Sequence, residues 1–475
     1  MTKAAAPLVS ERNPASFRDP SGFVFHYAGR VFRAINGSFV QTCDSLIESG
    51  VLSGLIAGNL VVETWPVDDG ELVAKFSKEH RGYSHFLEHQ VIAPITYPYE
   101  WSVSMLADAG IHTIDLQVRL LSAGYSLKDA TAYNIQFLDG RPVFIDVSSI
   151  DQPKRLDIWF GLGQFGQMFT FPLLLARHHG WDLRSYFLAS LSGRTVEDVA
   201  RGFGVFERLR PRSILDVTLP LMLKRVADGK HGAGRELLER PNPNYKVQVS
   251  SLQRLRKKVS RLAEGYRPRG TWSTYTATCT YDEAGEAAKK TVVKDFLQTV
   301  KPESVLDLGC NTGDYSIIAA ENGAKVVAVD SDHDAIELMY RRLRGKLLSI
   351  TPMVVDISNP SPAIGFRNRE RDSFLRRMRA DCTLALALLH HLVVSANLSV
   401  VAVRDLLLEL TNKWLVLEFV PTDDPMFQRL IKYRENTFEY LTLDYVKSSF
   451  SERLELIREE RVPGSGRSLL IFRRK

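Results

Sequence analysis

Apolar positions come in short runs broken by turn residues over the first part of the chain. Phe23-Val24-Phe25-His26-Tyr27 is followed by Ala28-Gly29-Arg30 and then Val31-Phe32, a pattern that predicts a β-hairpin. Residues 60–65 and 72–76 read as further strands, after which helical periodicity takes over. Leu138-Asp139-Gly140-Arg141-Pro142-Val143-Phe144-Ile145-Asp146 predicts two short strands joined at a glycine turn, and residues 156–228 read as mainly helical. Past Pro302 strand and helix alternate, with strands expected at 304–308, 325–329, 353–355, 382–387, 414–419 and 468–472. Such a series builds a parallel sheet, because parallel neighbours are joined through crossover helices. The expected fold class is therefore α/β: a doubly wound C-terminal sheet preceded by an α+β N-terminal domain.

The boundary falls where Gly, Pro and basic residues are densest. This division gives a loose arm over 1–18, an α+β domain over 19–228, a basic linker over 229–271 and the sheet domain over 272–475. Inside the linker Leu252, Leu255, Val259 and Leu262 form one stripe of a helix. The 475-residue chain has a formal charge of +6, and the segment 254–269 accounts for all of it. Its cations are Arg254, Arg256, Lys257, Lys258, Arg261, Arg267 and Arg269, against Glu264 alone. The pI of 9.0 thus reports one local segment. Two readings of this helix stay open: a solvated linker packed on a neighbour, or a patch for an anionic partner. Without interleaved aromatic residues it makes little case for nucleic acid.

With 45% hydrophobic and 24% charged residues, the composition excludes a disordered, collagenous or membrane-embedded chain. The uncharged stretch 158–176 is interrupted by Gln164, Gln167, Pro172 and three glycines, which fits buried helix and turn and not a membrane span. Cys43, Cys279, Cys310 and Cys382 show neither CxxC spacing nor a Cys/His cluster. No disulfide framework and no metal site are expected, and a cytoplasmic setting is. The stretch from Met1 to Pro14 carries no apolar core of a secretory signal.

The chemistry is densest in Val305-Leu306-Asp307-Leu308-Gly309-Cys310-Asn311-Thr312-Gly313, where an apolar strand enters a glycine turn ahead of a helix at 314–321. Gly309 and Gly313 permit left-handed backbone and close approach of a ligand. The next strand, Val326-Val327-Ala328-Val329, ends in Asp330, at the distance beyond Gly313 where a carboxylate can accept both ribose hydroxyls of an adenosine ligand. A dinucleotide site would need three glycines and a place for pyrophosphate on a helix N-terminus. Here an acid precedes the turn, which repels pyrophosphate and suits a cationic ligand.

This segment resembles motif I of class I S-adenosylmethionine-dependent methyltransferases, and the resemblance covers about residues 272–475 with a Rossmann-like sheet. It implies S-adenosyl-L-methionine as cofactor, contacted by Asp307, Gly309, Asn311 and Gly313, with Asp330 on the ribose and Asp356 on the adenine amino group. Leu384-Ala385-Leu386-Ala387-Leu388-Leu389-His390-His391-Leu392 is similar to the fourth strand and active-site loop of that family. Methyl transfer is an in-line displacement, so the protein supplies alignment and, for an oxygen or nitrogen acceptor, a base. His390 or His391 is placed to be that base; either could instead cap the loop or pack on the cofactor. Glu418, at the end of the fifth strand, orients a histidine, binds substrate or serves structure.

In the N-terminal half, Leu127-Lys128-Asp129-Ala130-Thr131-Ala132-Tyr133-Asn134 followed by Pro142-Val143-Phe144-Ile145-Asp146 is similar in spacing to kinase and aminoglycoside-phosphotransferase active sites. The resemblance implies a kinase-like fold for the α+β domain 19–228, a catalytic Asp129 and metal-binding Asn134 and Asp146. It implies Lys75 as the phosphate-binding lysine on a strand, with Glu88 or Glu100 as its ion-pair partner. Leu127 and Lys128 replace the usual His and Arg, no GxGxxG loop precedes Lys75, and Asp146-Val147-Ser148 replaces Asp-Phe-Gly, so the set is degenerate. His85 and His89, four apart, read as a surface pair on a helix.

Over the whole chain, Asp19-Pro20-Ser21-Gly22-Phe23-Val24, Tyr97-Pro98-Tyr99-Glu100-Trp101, Lys128-Asp129-Ala130, the glycine turn and Pro463-Gly464-Ser465-Gly466-Arg467 resemble the NoeA-type nodulation proteins. That implies methyl transfer to an unidentified small-molecule, glycan or protein acceptor, selected or held by the N-terminal domain. Two other classes stay open: a phosphotransferase whose other half is regulatory, and a non-catalytic scaffold that senses S-adenosylmethionine.

Overall fold

The computed structural model describes residues 9–204, 221, 241–268, 283–433 and 438–475. The first half opens with an antiparallel sheet of five strands, β1 (Glu11–Arg12), β2 (Gly22–Tyr27), β3 (Arg30–Ile35), β4 (Thr64–Pro66) and β5 (His85–His89), in the order β1-β2-β3-β5-β4. The expected hairpin is β2–β3, turned by Ala28 and Gly29 at φ 50° and 76°. Part of the expected arm is strand, since Glu11 pairs with His26 and Arg12 with Phe25. Strand alternation gives the sheet two faces. Phe23, Phe25, Phe32, Ala34 and Phe86 pack together with Phe76. Val24, Arg33, Leu87 and His89 take the other face, by the pairings Val24 to Arg33, Arg33 to Leu87 and Val31 to His89.

Two local expectations are corrected. Residues 72–76 are not strand but part of the helix Gly70–Glu79, whose N-cap Asp69 accepts from the backbone N–H of Glu71 and Leu72. A short apolar run cannot separate strand from helix by period alone, and here the capping carboxylate decides. His85 and His89 lie on a strand, and His89 is buried with its Nδ1 2.9 Å from Thr64 Oγ1.

The helix Val103–Ser122 runs through the middle of the first half and is buried along most of its length. Strands β6 (Ser126–Leu127) and β9 (Ile150–Asp151) pair beside the hairpin β7 (Ile135–Leu138) and β8 (Arg141–Phe144), turned at Asp139 and Gly140 as the sequence implies. The uncharged stretch becomes the helix Leu162–Phe165, a π turn and the helix Phe171–His179. Phe169 presses so closely on the central helix that a Cβ at Gly110 would come within 3.1 Å of its ring. The basic helix is Lys246–Glu264, with Leu252, Val259 and Leu262 buried in the same core and Arg254, Arg256, Lys257 and Arg261 exposed. Arg256 is held by Asp115 at 2.8 Å. Residues 205–220 and 222–228 of the expected helical region, together with Arg269 and Cys279, lie outside the described residues.

The second half is a seven-stranded sheet. Its strands are β10 (Ser304–Leu308), β11 (Lys325–Asp330), β12 (Ile350–Val354), β13 (Ala380–Ala385), β14 (Thr411–Phe419), β15 (Leu454–Arg461) and β16 (Ser468–Arg474), ordered β12-β11-β10-β13-β14-β16-β15. The first five are mutually parallel, and β16 runs antiparallel to both β14 and β15. The sequence pattern misses β15, whose Leu-Glu-Leu-Ile-Arg-Glu-Glu-Arg is mostly exposed: a charged edge strand carries little apolar alternation.

Buried polar contacts join the halves. Glu337, on the helix His333–Leu343 that follows β11, accepts from Ser104 N at 2.8 Å and Ser104 Oγ at 2.6 Å. Tyr340 Oη donates to Asp108 at 2.8 Å, and Arg377 pairs with the fully buried Glu100. Among the described residues no helix is long and apolar enough to cross a membrane.

Candidate active site

The carboxyl ends of the parallel strands bring most of the sequence-derived residues together. After β10 the backbone turns at Gly309 (φ 72°), Asn311 (φ 49°) and Gly313 (φ 87°), so three left-handed residues wind the loop tightly. The N–H groups of Gly309 and Cys310 donate to Val329 O at 2.8 and 3.0 Å, which straps the turn to the end of β11. A Cβ at Gly313 would come within 2.5 Å of the end of the Met339 side chain, which would have to shift, and its φ of 87° already favours glycine. At Gly309 the nearest neighbour of such a Cβ is Leu388, at 3.4 Å.

Asp307 is buried on β10, and burial pushes its carboxyl up to about 6, against the Ser316 hydroxyl and the charge of Lys289. Ser316 Oγ donates to it at 2.6 Å. Asp330, at the end of β11, is raised from the usual aspartate value by burial. Its Oδ2 accepts from Asn311 N and its Oδ1 from Asp332 N, both at 2.8 Å. One carboxylate thus ties the glycine turn to the loop after β11. Asp356 lies just past β12, next to Asp330 through the bond from Val355 N to Asp330 O, and its Oδ1 accepts from Ser358 N and Oγ.

Past β13 the rings of His390 and His391 lie 4.2 Å apart, and His390 stacks on Phe427 at 6.0 Å. His390 is buried and its Nδ1 has no hydrogen-bond partner. Burial drives its pKa well below the ordinary value, and the neighbouring His391 and Arg467 add to this. His391 is lowered too, by burial and then Arg467, while keeping partial access to solvent. Both imidazoles are therefore neutral at neutral pH.

Glu418, fully buried at the end of β14, sits between two cations: Lys289 Nζ 2.5 Å from Oε2 and Arg467 Nη1 3.4 Å from Oε1. Arg467 also donates from Nε to Asp424 at 2.7 Å, and Lys289 Nζ lies 4.8 Å from the Tyr315 ring centre. Sequence reasoning assigns Glu418 to the crevice but gives no role to Lys289, Arg467, Asp424 or Tyr315. Lys289 is one lysine among several on the helix Glu283–Val300, and only the packing of that helix over β10 and β14 turns it inward. Arg467 arrives from the β15–β16 turn, a hairpin whose first strand is invisible in the pattern.

The kinase-like set is only partly assembled. Asn134 Nδ2 donates to Asp146 at 3.3 Å, and Asp129, exposed beside them, is raised by partial burial and then by the charge of Asp146. Lys75 does not belong to it. It lies on the helix Gly70–Glu79, bound to Glu79 one turn on. Glu88 pairs with Arg30 and Glu100 with Arg377, so neither expected partner meets Lys75. The cation beside Asp146 is Arg33.

Comparison with known proteins agrees with the sheet and the glycine turn. Residues 305–394 match the family model described as a methyltransferase domain. The nodulation protein NoeA of Rhizobium meliloti (strain 1021) is 32% identical over 481 residues, covering 99% of this chain and 98% of that protein. The chain belongs to the NoeA-type nodulation protein family. It is an S-adenosylmethionine-dependent methyltransferase. Among solved structures, magnesium protoporphyrin IX methyltransferase from Synechocystis PCC 6803 aligns with 40% of this chain and 84% of its own at 18% identity and a TM-score of 0.31. N-methyltransferase NodS from Bradyrhizobium japonicum WM9 aligns with 41% and 98% at 16% identity and the same TM-score, 0.31. At those scores neither adds to what the sheet itself displays.

Proposed function

We propose that the crevice at the carboxyl ends of β10 to β14 holds S-adenosylmethionine through Asp307, Gly309, Asn311, Gly313, Asp330 and Asp356, and that the methyl acceptor lies against His390, His391 and Glu418. The observation that carries this reading is a pair of acids, Asp307 buried and Asp330 partly buried, on adjacent strand ends flanking a turn of three left-handed residues. Such a donor set fits a ligand with positive charge and a ribose diol, and opposes a pyrophosphate. When bound, the cofactor supplies a methyl group already activated on a sulfonium.

Each residue then has a physical task. Asp330 keeps lone pairs directed away from Asn311 N and Asp332 N, and these accept the ribose hydroxyls. Asp307 regains a positive neighbour and with it the stability of its charged form. Lys289 and Arg467 fix Glu418 between them, so this wall of the site does not rearrange during transfer. His391, neutral and reachable, takes the proton from an oxygen or nitrogen acceptor, while His390, stacked and buried, sets its position. The N-terminal half selects or holds the acceptor. Its grip on the helix after β11, through Ser104 and Glu337, supports that reading. Calorimetric titration of wild type and Asp330→Ala with S-adenosylmethionine tests the cofactor site. Unchanged affinity in a folded variant would sink it.

A further inference from the structure

The polar cluster in the N-terminal half lies outside the methyl-transfer crevice and joins three distant segments. Asp19 comes from the loop between β1 and β2, Arg33 from β3, and Asp146 and Ser148 from the segment after β8. Arg33 is nearly fully buried. Its Nη1 donates to Asp19 Oδ2 at 2.8 Å and to Ser148 Oγ at 2.6 Å, and its Nη2 lies 3.0 Å from Asp146 Oδ1. Ser148 Oγ lies 2.6 Å from Asp146 Oδ1 and 2.8 Å from Asp19 Oδ2. The remaining oxygens are also engaged, Asp19 Oδ1 by Ser21 N at 2.8 Å and Asp146 Oδ2 by Asn134 Nδ2 at 3.3 Å.

We propose that Arg33 is the resident cation of the Asp19–Asp146 pair, making this cluster a closed clasp between sheet and helical layers and not a site for a magnesium-bound nucleotide. A small divalent cation needs about six oxygens at roughly 2.0 to 2.1 Å, several of them from water. The guanidinium occupies Asp19 Oδ2 and Asp146 Oδ1, which leaves one oxygen of each acid on a neutral donor, and a second cation beside Arg33 would be repelled. Ser148 has one proton for two carboxylates, so it cannot replace the charge that Arg33 provides. His89 faces Arg33 from β5 and does not compete for the acids, since burial lowers it to about 3 and keeps it neutral. Lys128 and Asp129 are exposed and bear on the cluster only through their charges.

The test is titration of the full chain with Mn²⁺, alone and with ATP. Wild type should show no saturable binding of either. Arg33→Met, which removes the charge at similar length, should gain Mn²⁺ affinity on the order of tenfold or more, and Arg33→Met with Asp146→Asn should lose that gain. Saturable Mn²⁺–ATP binding by wild type that Asp146→Asn removes would overturn the proposal. So would a folded Arg33→Met that gains nothing. Should Arg33→Met not fold, combining it with Asp19→Asn and Asp146→Asn removes both acids along with the cation. Recovery of the melting temperature then supports the clasp, and failure to recover rejects it.

Discussion

Two clusters of acids sit near a turn that follows a strand, one in each half, and their partners give them opposite character. In the C-terminal half Asp330 is held by the backbone N–H groups of Asn311 and Asp332, neutral donors that orient the carboxylate and leave its charge uncompensated. Asp307 beside it rises to about 6 because burial outweighs Ser316 and Lys289. In the N-terminal half Asp19 and Asp146 are held by the guanidinium of Arg33, which cancels charge as well as filling oxygens. An acid held by amides is ready for a cationic ligand, whereas an acid held by an arginine is already satisfied. On the readings proposed above, the same residue type marks a binding site in one place and a fastening in the other.

The contrast can be broken most sharply at Glu418. Glu418→Gln leaves Lys289 and Arg467 buried without their shared counter-charge and should cost about 3 to 5 kcal/mol of stability, read by denaturant unfolding. A loss below about 1 kcal/mol would mean water reaches the pair. Next comes Asp330→Ala, which removes two charge-assisted hydrogen bonds to ribose, each worth about 1.5 to 3 kcal/mol, and should weaken S-adenosylmethionine roughly a hundredfold or more by calorimetry. For the base, His391→Ala should lower single-turnover methyl transfer roughly 10² to 10⁴-fold with cofactor affinity nearly intact, once an acceptor is in hand. His390→Ala should cost less in turnover and more in stability, because its ring packs on Phe427. Near-wild-type turnover in both variants would leave alignment and desolvation alone as the source of rate.

Asp307 offers a pH test of the uncompensated acid. Its folded pKa, about 6, lies above the ordinary 3.8, so the folded protein binds the extra proton between those values. Stability without cofactor should therefore fall as pH rises from 4 through 6, by up to about 3 kcal/mol. Asp307→Asn should be free of that loss, more stable than wild type at pH 7, and poor at binding cofactor. A variant that follows the wild-type pH profile would show that Asp307 is not the group responsible. The smallest effect belongs to Lys75→Ala, where the surface pair with Glu79 and the contact of Lys75 Nζ with the Tyr27 ring are lost. No change in melting temperature or methyl transfer is expected there. A clear loss of either would return Lys75 to the functional set.

Much of the methyltransferase half was legible because its signals are local. An apolar strand, a glycine turn and an acid at the next strand end all fall between Val305 and Asp330, and backbone geometry ties them together. The charged edge strand β15 escaped because it lacks the apolar face that pattern reading detects. Lys75 was misplaced because a short apolar run has no decisive period and its neighbour Asp69 acts as a helix cap.

Neighbours along the chain were enough to find the five parallel strands and the acids that flank the turn, but they also put 468–472 in the parallel series, and that strand, β16, runs antiparallel. Packing of the layers, and nothing before it, made Lys289, Arg467 and Asp424 converge on Glu418 and its surroundings, and brought Arg33 in place of Lys75 to Asp146. Each of these pairs joins segments far apart in the chain: Lys289 on a helix ahead of the sheet with Glu418 on its fifth strand, Arg33 on a hairpin with Asp146 beyond the central helix. Such contacts are set by which face of each element is turned inward when sheet and helices pack. A charged side chain carries no mark of that choice in its own neighbourhood, since the burial that makes its partner obligatory exists only once the layers have closed.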